Sequence, residues 1–355
     1  MQMVKFGIGQ LRLVSQRIAA PMEAGAADVV RWMMAVQAQD FNGAVTSVAL
    51  RFQGGTREAV LAALDAGTIV RSWPMRGTLH FVPAEDLGWM LRTTAARMVA
   101  TSARRHAELG IDDRLIGAAR DIALAEMRDG KPISRNELIA LWRKAGLLEV
   151  KERGYHLIGH LAMTGVLCFG PVRGGEQQLV LIDSWIPHPR RLEPDEALGE
   201  LALRYFRSHG PATVKDFGWW TKLRAADVKT AVALARQNLE SSWYDGVEYL
   251  MDPASPALPG GEAHEASGLF LLPGFDEYLL GYQDRSAALR PEFAQRIVPG
   301  GNGVFRPTII RDGQVTGTWK RAGKGVDRRI EPTSFSRRFT KAELRLIERR
   351  FATLR

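Results

Sequence analysis

The chain has 355 residues, 46% of them hydrophobic and 25% charged, with 48 Lys and Arg against 39 Asp and Glu for a formal net charge of +9. That length allows two or more domains, each with its own core; no apolar run approaches the ~18 residues of a membrane-spanning helix, and Met1 to Gly9 lack the basic-then-apolar order of a signal peptide, so a cytoplasmic protein with no membrane partner is expected. The one cysteine, Cys168, rules out an internal disulfide and a cysteine zinc site, and no metal or other cofactor is expected.

In chain order, Gln10 to Ala19 and Ala26 to Val36 read as helices, the second with Val29, Val30, Met33 and Met34 on one face. A third helix is predicted from Arg57 to Ala66. Strands at Ile69 to Trp73 and Leu79 to Val82 follow, with Pro74 to Gly77 between them. Between the second and third helices the stretch Gln37 to Gly55 is longer than a simple turn. It opens with Gln37-Ala38-Gln39-Asp40 at the end of an apolar helix and includes Val45 to Phe52, an apolar strand or helix.

The next segment repeats the order more cleanly. Leu115 to Met127 is helical, the chain breaks at Gly130 and Pro132, and Ser134 with Glu137 forms a capping box that starts a helix ending at Lys144. Tyr155 to Thr164 makes a third helix. Val166 to Phe169 and Leu179 to Ile182 are strands of a hairpin with a basic tip at Arg173. A further copy has a helix from Ala197 to Arg207, Gly210-Pro211, a box from Thr213 to Asp216, a helix from Ala225 to Gln237, and strands at Ser241 to Tyr244 and Glu248 to Met251. The two boxes lie roughly 80 residues apart, and a repeated helix, turn, capped helix, helix and hairpin is the order of a winged helix.

Residues 253–264 are rich in Pro and Gly and read as a linker. Gly268 to Leu272 is a buried strand and Asp276 to Tyr282 a short helix or turn. Pro307 to Ile310 and Val315 to Trp319 flank Asp312-Gly313, a type I′ hairpin signal. A second hairpin is expected from Thr318–Lys320 and Arg329–Glu331, with a tip carrying Arg321, Lys324 and Arg328. Thr340 to Leu354 closes as a basic helix with a box from Thr340 to Glu343. Residues 320–355 hold twelve Lys or Arg against four acids, so nearly all the excess charge sits there and a polyanion is the natural partner.

Several polar residues admit two roles. The Gln37 and Gln39 amides could bond water or chain-end carbonyls, or could position a reactant. Asp40 is a turn or cap residue, or a base. His80, with Arg76 and Thr78 near it, holds a hairpin or takes part in chemistry, and Trp73 packs or stacks on a base. The tip of the second hairpin is a solvated loop, or a probe whose cations Arg321, Lys324 and Arg328, with Lys320 and Arg329 beside them, meet phosphates.

Gln37-Ala-Gln39-Asp, Ser72-Trp-Pro-Met-Arg-Gly-Thr-Leu-His80, Leu272-Pro-Gly-Phe-Asp-Glu-Tyr-Leu-Leu-Gly-Tyr282 with Asp284-Arg285, and Arg306-Pro-Thr followed by Gly317-Thr-Trp-Lys320 together resemble the bacterial winged-helix DNA glycosylases of the AlkZ and YcaQ type. The match runs over nearly the whole chain. It implies an α+β fold of three tandem winged-helix units, here residues 1–110, 111–190 and 191–252, with a C-terminal β-rich part over 253–355 and a concave, C-shaped DNA surface. The activity implied is removal of N7-alkylated guanines, in some members including interstrand crosslinks and bulky adducts. That family's catalytic signature is Gln, an apolar residue, then Gln in AlkZ-like or Asp in YcaQ-like members; Gln37 and Gln39 place this sequence nearer the first branch. The expected partner is double-stranded DNA containing alkylated bases, bound by a monomer. A winged-helix transcription regulator and a damage-binding protein without catalysis are the alternatives.

Overall fold

The computed structural model describes residues 7–150, 152–255, 267–323 and 327–354. The fold mixes helices with several small antiparallel sheets. Packing divides the chain into two compact units, residues 1–60 with 198–355, and residues 61–197. This grouping differs from a division into four consecutive segments, because the first 60 residues pack with the C-terminal part of the chain.

The N-terminal segment carries α1 (Ile8–Ser15), α2 (Ala26–Met33), a two-residue strand β1 (Val36–Gln37), α3 (Phe41–Ala49) and the start of α4 (Arg57–Asp65). Val29, Val30 and Met33 are fully buried, the one-faced pattern that the sequence foretells for α2. The helix stops earlier than expected. Met34 adopts a positive φ of 64°, and the chain leaves as an extended segment, so Gln37 lies on β1 and not at a helix end. The ambiguous apolar stretch is helical through α3, since Ala44, Val45 and Val48 fall on one buried face at helical spacing.

In the second unit, β2 (Ile69–Met75) and β3 (Thr78–Pro83) form a hairpin two residues longer at its turn than foreseen. Arg76 and Gly77 turn it, both at positive φ (59° and 67°), as a tight two-residue hairpin requires. α5 (Leu87–Glu108) follows, 22 residues that the sequence reading passed over. Its buried side chains cluster from Leu87 to Ala95 and then lapse until His106, so no apolar period persists along it. Next come α6 (Asp113–Glu126), α7 (Arg135–Lys144), α8 (Arg153–Met163), β4 (Leu167–Arg173), β5 (Glu176–Leu181) and a single-turn α9 (Ile182–Trp185). Ser134 Oγ accepts the Glu137 N–H and Glu137 accepts the Ser134 N–H, so the foreseen box is present. β4 pairs with both β2 and β5, and one core gathers Trp142, Leu157, Leu161, Leu167 and Trp73. Cys168 is buried in β4, as a small core residue would be.

The chain then runs through α10 (Pro194–His209), α11 (Val214–Thr221), α12 (Ala225–Ala235) and the hairpin β6 (Glu240–Tyr244) with β7 (Val247–Met251). The Thr213–Asp216 box caps α11. Most of the expected linker lies at 256–266, outside the described residues. β8 (Leu269–Leu272), α13 (Glu277–Leu280), α14 (Ala294–Ile297), β9 (Thr308–Arg311), β10 (Gln314–Ala322), β11 (Arg329–Ser334) and α15 (Lys341–Thr353) complete the first unit. The strands make one antiparallel sheet in the order β11-β10-β9-β8. Asp312 and Gly313, at φ 46° and 80°, make the predicted turn, and Thr340 with Glu343 makes the predicted box on α15.

Candidate active site

Gln37 is buried, yet Gln39 and Asp40 beside it are exposed. The Gln37 N–H donates to Glu277 Oε1 (3.0 Å), and Gln37 Oε1 accepts the Gln39 N–H (3.2 Å). The first bond fixes where the segment starts and the second folds the Gln37 amide over the backbone of its neighbour. Asp40 occupies the N-cap position of α3 by backbone, but its side chain makes no capping bond. It lies over Gly43 instead, where a Cβ would come within 2.7 Å of Asp40 Oδ2 and 3.2 Å of the Gly274 carbonyl. Any larger residue at 43 would displace the carboxylate.

Two consecutive carboxylates of α13 hold this segment from behind. Glu277, with no exposed surface, also accepts the Trp220 indole N–H (2.9 Å), and His209 Nε2 lies 3.7 Å from it. Asp276 receives both terminal nitrogens of Arg51 (2.9 Å each) and the Ser47 hydroxyl (2.6 Å), and its Oδ1 accepts the Tyr278 N–H that starts α13. Gln16 ties these groups together: its Oε1 accepts from Arg51 (3.1 Å), and its Nε2 donates to Tyr282 Oη (3.0 Å) and the Glu277 carbonyl (3.3 Å). A buried ion pair costs desolvation that only such a set of directed partners offsets, so its contribution is geometry more than stability. Glu277 fixes the chain before Gln39, and Asp276 with Arg51 fixes the far end of α3.

The second hairpin brings cations to the same unit. Its register pairs Lys320 with Glu331 and Ala322 with Arg329, so Arg321 and Arg329 are strand residues and not part of a loose tip. Lys320 Nζ (3.0 Å) and Arg329 (3.4 Å) both reach Glu331, which neutralises part of their charge. Burial first, then the like charge of Arg328 and also that of Arg57, hold the Arg321 guanidinium below its usual pKa, while Asp40 acts in the opposite sense. Arg321, Arg328 and Asp40 are therefore electrostatic neighbours. Lys324 lies outside the described residues.

In the other unit, His80 is wholly buried, its Nδ1 2.8 Å from the Thr78 carbonyl and its Nε2 2.9 Å from Arg76 Nη2. Since the carbonyl only accepts and the guanidinium only donates, the ring is neutral with its proton on Nδ1. Arg76, Thr78 and His80 thus brace the β2–β3 turn, the structural one of their two readings. Trp73 is 4% exposed and packs on Phe169 and Tyr155 at centroid distances of 5.8 and 6.3 Å. A ring so enclosed takes the packing one of its two readings. Among the described residues, no group of three or more His, Cys, Asp or Glu is placed to hold a metal ion, and no helix is long and apolar enough to cross a membrane.

A family model for AlkZ-like DNA glycosylases matches residues 30–354. The chain belongs to this family. It is therefore a DNA N-glycosylase, a hydrolase whose substrate is DNA. A relative from Streptomyces sahachiroi, named as an interstrand DNA cross-link repair glycosylase, is 28% identical over 325 residues, spanning 87% of this chain and 85% of the relative. The solved structure of Streptomyces sahachiroi DNA glycosylase AlkZ superposes with a TM-score of 0.79 at 25% identity, covering 98% of this chain and 94% of that one.

Glu277, Asp276, Arg51 and Gln16 escaped the sequence reading as site residues. The contact between Gln37 and Glu277 spans 240 positions and that between Arg51 and Asp276 spans 225. The one available signal was the pair of adjacent acids within an otherwise apolar motif, Leu272 to Tyr282, where a charge must find a partner or not be buried.

Proposed function

We propose that this glycosylase is monofunctional and releases N7-alkylguanines from duplex DNA, with Gln37 and Gln39 holding the attacking water. The observation that carries the reading is the Gln37–Asp40 segment itself, pinned from below by a carboxylate without exposed surface while Gln39 stays exposed and Asp40 lies within electrostatic reach of the Arg321 cation.

Alkylation at N7 makes guanine a cation, so it leaves as a neutral base and needs no strong general acid. What remains for the protein is position and field. Amide oxygens orient a water toward the anomeric carbon, and their negative ends favour the oxocarbenium-like charge that develops as the glycosidic bond breaks. A normal base is a far poorer leaving group, so part of the selectivity resides in the lesion. The relative's crosslink-repair name extends the proposal to guanines tethered to a second strand. The helix–helix–hairpin repeats serve in this reading as winged-helix contacts to the backbone, and one chain suffices as a monomer.

Single-turnover assays on a duplex with one N7-methylguanine, and on one with an N7–N7 interstrand crosslink, test this. The monoadduct should release the free base and leave an uncut abasic strand, whereas one cleavage of the crosslink should separate the strands, leaving one abasic and the other carrying the excised guanine on its tether. Tight binding without base release would leave a damage-binding protein instead. Equal release from undamaged DNA would remove the alkyl specificity.

A further inference from the structure

A cavity of about 680 Å³ lies within the first unit, walled by α3 and its following turn, by β8, by the β10–β11 hairpin and by the C-terminal end of α15. Four arginines line it: Arg57, Arg321, Arg328 and Arg350. Its described lining holds no acidic side chain. Apolar groups, among them Phe52 and Phe270, and the neutral polar side chains of Asn42, Thr46, Gln53 and Thr353 line the rest of the wall.

Arg350 is the informative member. Its guanidinium carbon sits 4.7 Å from the Phe270 ring centroid, and its Nε is buried without a hydrogen-bond partner. Burial alone lowers its pKa, with no carboxylate acting in the opposite sense. Arg57 donates to Asn42 Oδ1 (2.9 Å), a neutral acceptor that leaves its charge intact. Arg321 Nη2 reaches the Leu354 carbonyl at 3.5 Å, which brings the hairpin up to the end of α15. Like charges gathered in a partly desolvated space repel one another, and Asp40 is the acid that eases this repulsion at Arg321. Such an arrangement is stabilised by an anion that enters.

We infer that the cavity is a subsite for one nucleotide of the DNA, its phosphodiester held by Arg57, Arg321, Arg328 and Arg350 and its sugar and base taken up by the remaining volume. Guanidinium forks match the geometry of phosphate oxygens. The volume lies in the range of small-ligand sites and exceeds the needs of a phosphate alone. This rests on the proposed role of the Gln37–Asp40 segment in holding the reacting DNA. It adds a single seated nucleotide to what would otherwise be a diffuse basic surface.

The test couples a chemical change in DNA to a change in the protein. Duplexes with one neutral methylphosphonate, moved stepwise along both strands around an N7-methylguanine made resistant to excision, are titrated with the full chain and with Arg350→Ala. One linkage is expected at which neutralisation weakens binding by roughly three- to tenfold in the unaltered protein and hardly at all in Arg350→Ala. Removing the base attached to that linkage should weaken the unaltered protein further. Arg57→Gln, on a different helix, should show the same coupling at the same linkage and stands in if Arg350→Ala does not fold. Additive effects at every linkage would overturn the subsite. So would saturation of the cavity by inorganic phosphate or deoxyguanosine monophosphate without coupling to any linkage, since the ligand would then be a free anion. The readout is binding, so coupling without base release from ordinary N7-methylguanine DNA would break the N7-alkylguanine reading alone.

Discussion

Two segments that the sequence marks for function, Gln37–Asp40 and Trp73–His80, are built in opposite senses. In the second, the two rings are turned inward: both His80 nitrogens have partners inside the hairpin, and Trp73 is core. In the first, the structure spends a buried carboxylate on a backbone N–H and leaves the next Gln exposed. A polar motif is a candidate for chemistry when its surroundings fix the backbone and leave a side chain facing solvent. When the surroundings engage the side chain itself, the motif is architecture.

The largest expected effect separates the two. Gln37→Ala and Gln39→Ala should each lower single-turnover excision of N7-methylguanine by roughly 30- to 1,000-fold, the equivalent of about 2–4 kcal/mol of transition-state stabilisation, with duplex affinity nearly unchanged. Unaltered rates in both variants would erase the distinction between the segments. Glu277→Gln is a sharper form of the test. It keeps an acceptor for the Gln37 N–H but confronts the Trp220 N–H with an amide that only partly fits, so the maximal rate should fall while the affinity holds.

Neutralising Arg321, Lys324 and Arg328 together should weaken binding to unrelated duplexes and flatten the slope of log affinity against log salt by roughly 2.7 units. Neutralising Lys320 and Arg329 should change that slope less, because Glu331 already offsets them. Equal slopes for the two sets would show that the hairpin's internal ion pairs do not matter to DNA.

His80→Ala should act on stability. Loss of a buried ring with two partners costs about 1–3 kcal/mol, read as a lower melting temperature, while the folded fraction keeps its excision rate within a few-fold. A large rate loss without destabilisation would return His80 to the chemistry.

The smallest expected effect is none. If amides position the water, excision is flat across neutral pH and Asp40→Asn keeps most of the rate, whereas a carboxylate base poised for neutral chemistry would give an acid limb that disappears in Asp40→Asn. The acid side of such a profile has to be read with care for one physical reason. His106, His156 and His160 sit together in the second unit, and burial above all holds their folded pKa values below the usual one. Such groups bind protons less tightly when folded than when unfolded. Stability is unaffected well above about pH 6.5 and is lost as pH falls below it, where the unfolded chain takes up protons first. Melting temperatures across the same range separate this unfolding from a true catalytic ionisation.

Local elements were legible wherever a few neighbouring residues decide the outcome. The boxes at Ser134, Thr213 and Thr340 and the Asp312-Gly313 turn formed as read, because a cap or a two-residue turn is settled by contacts three or four positions apart. The four family motifs, in order, were also enough to name the family. Sequence could not show that the first 60 residues fold against the last 158, nor that Gln37 ends on a strand, nor that α5 exists at such length. Those outcomes depend on burial against distant surfaces. The partners of the marked residues divide in the same way: His80 is held by Arg76 and Thr78, four and two positions away, whereas the Gln37 N–H meets Glu277 across 240 positions, a contact that only the tertiary fold brings about.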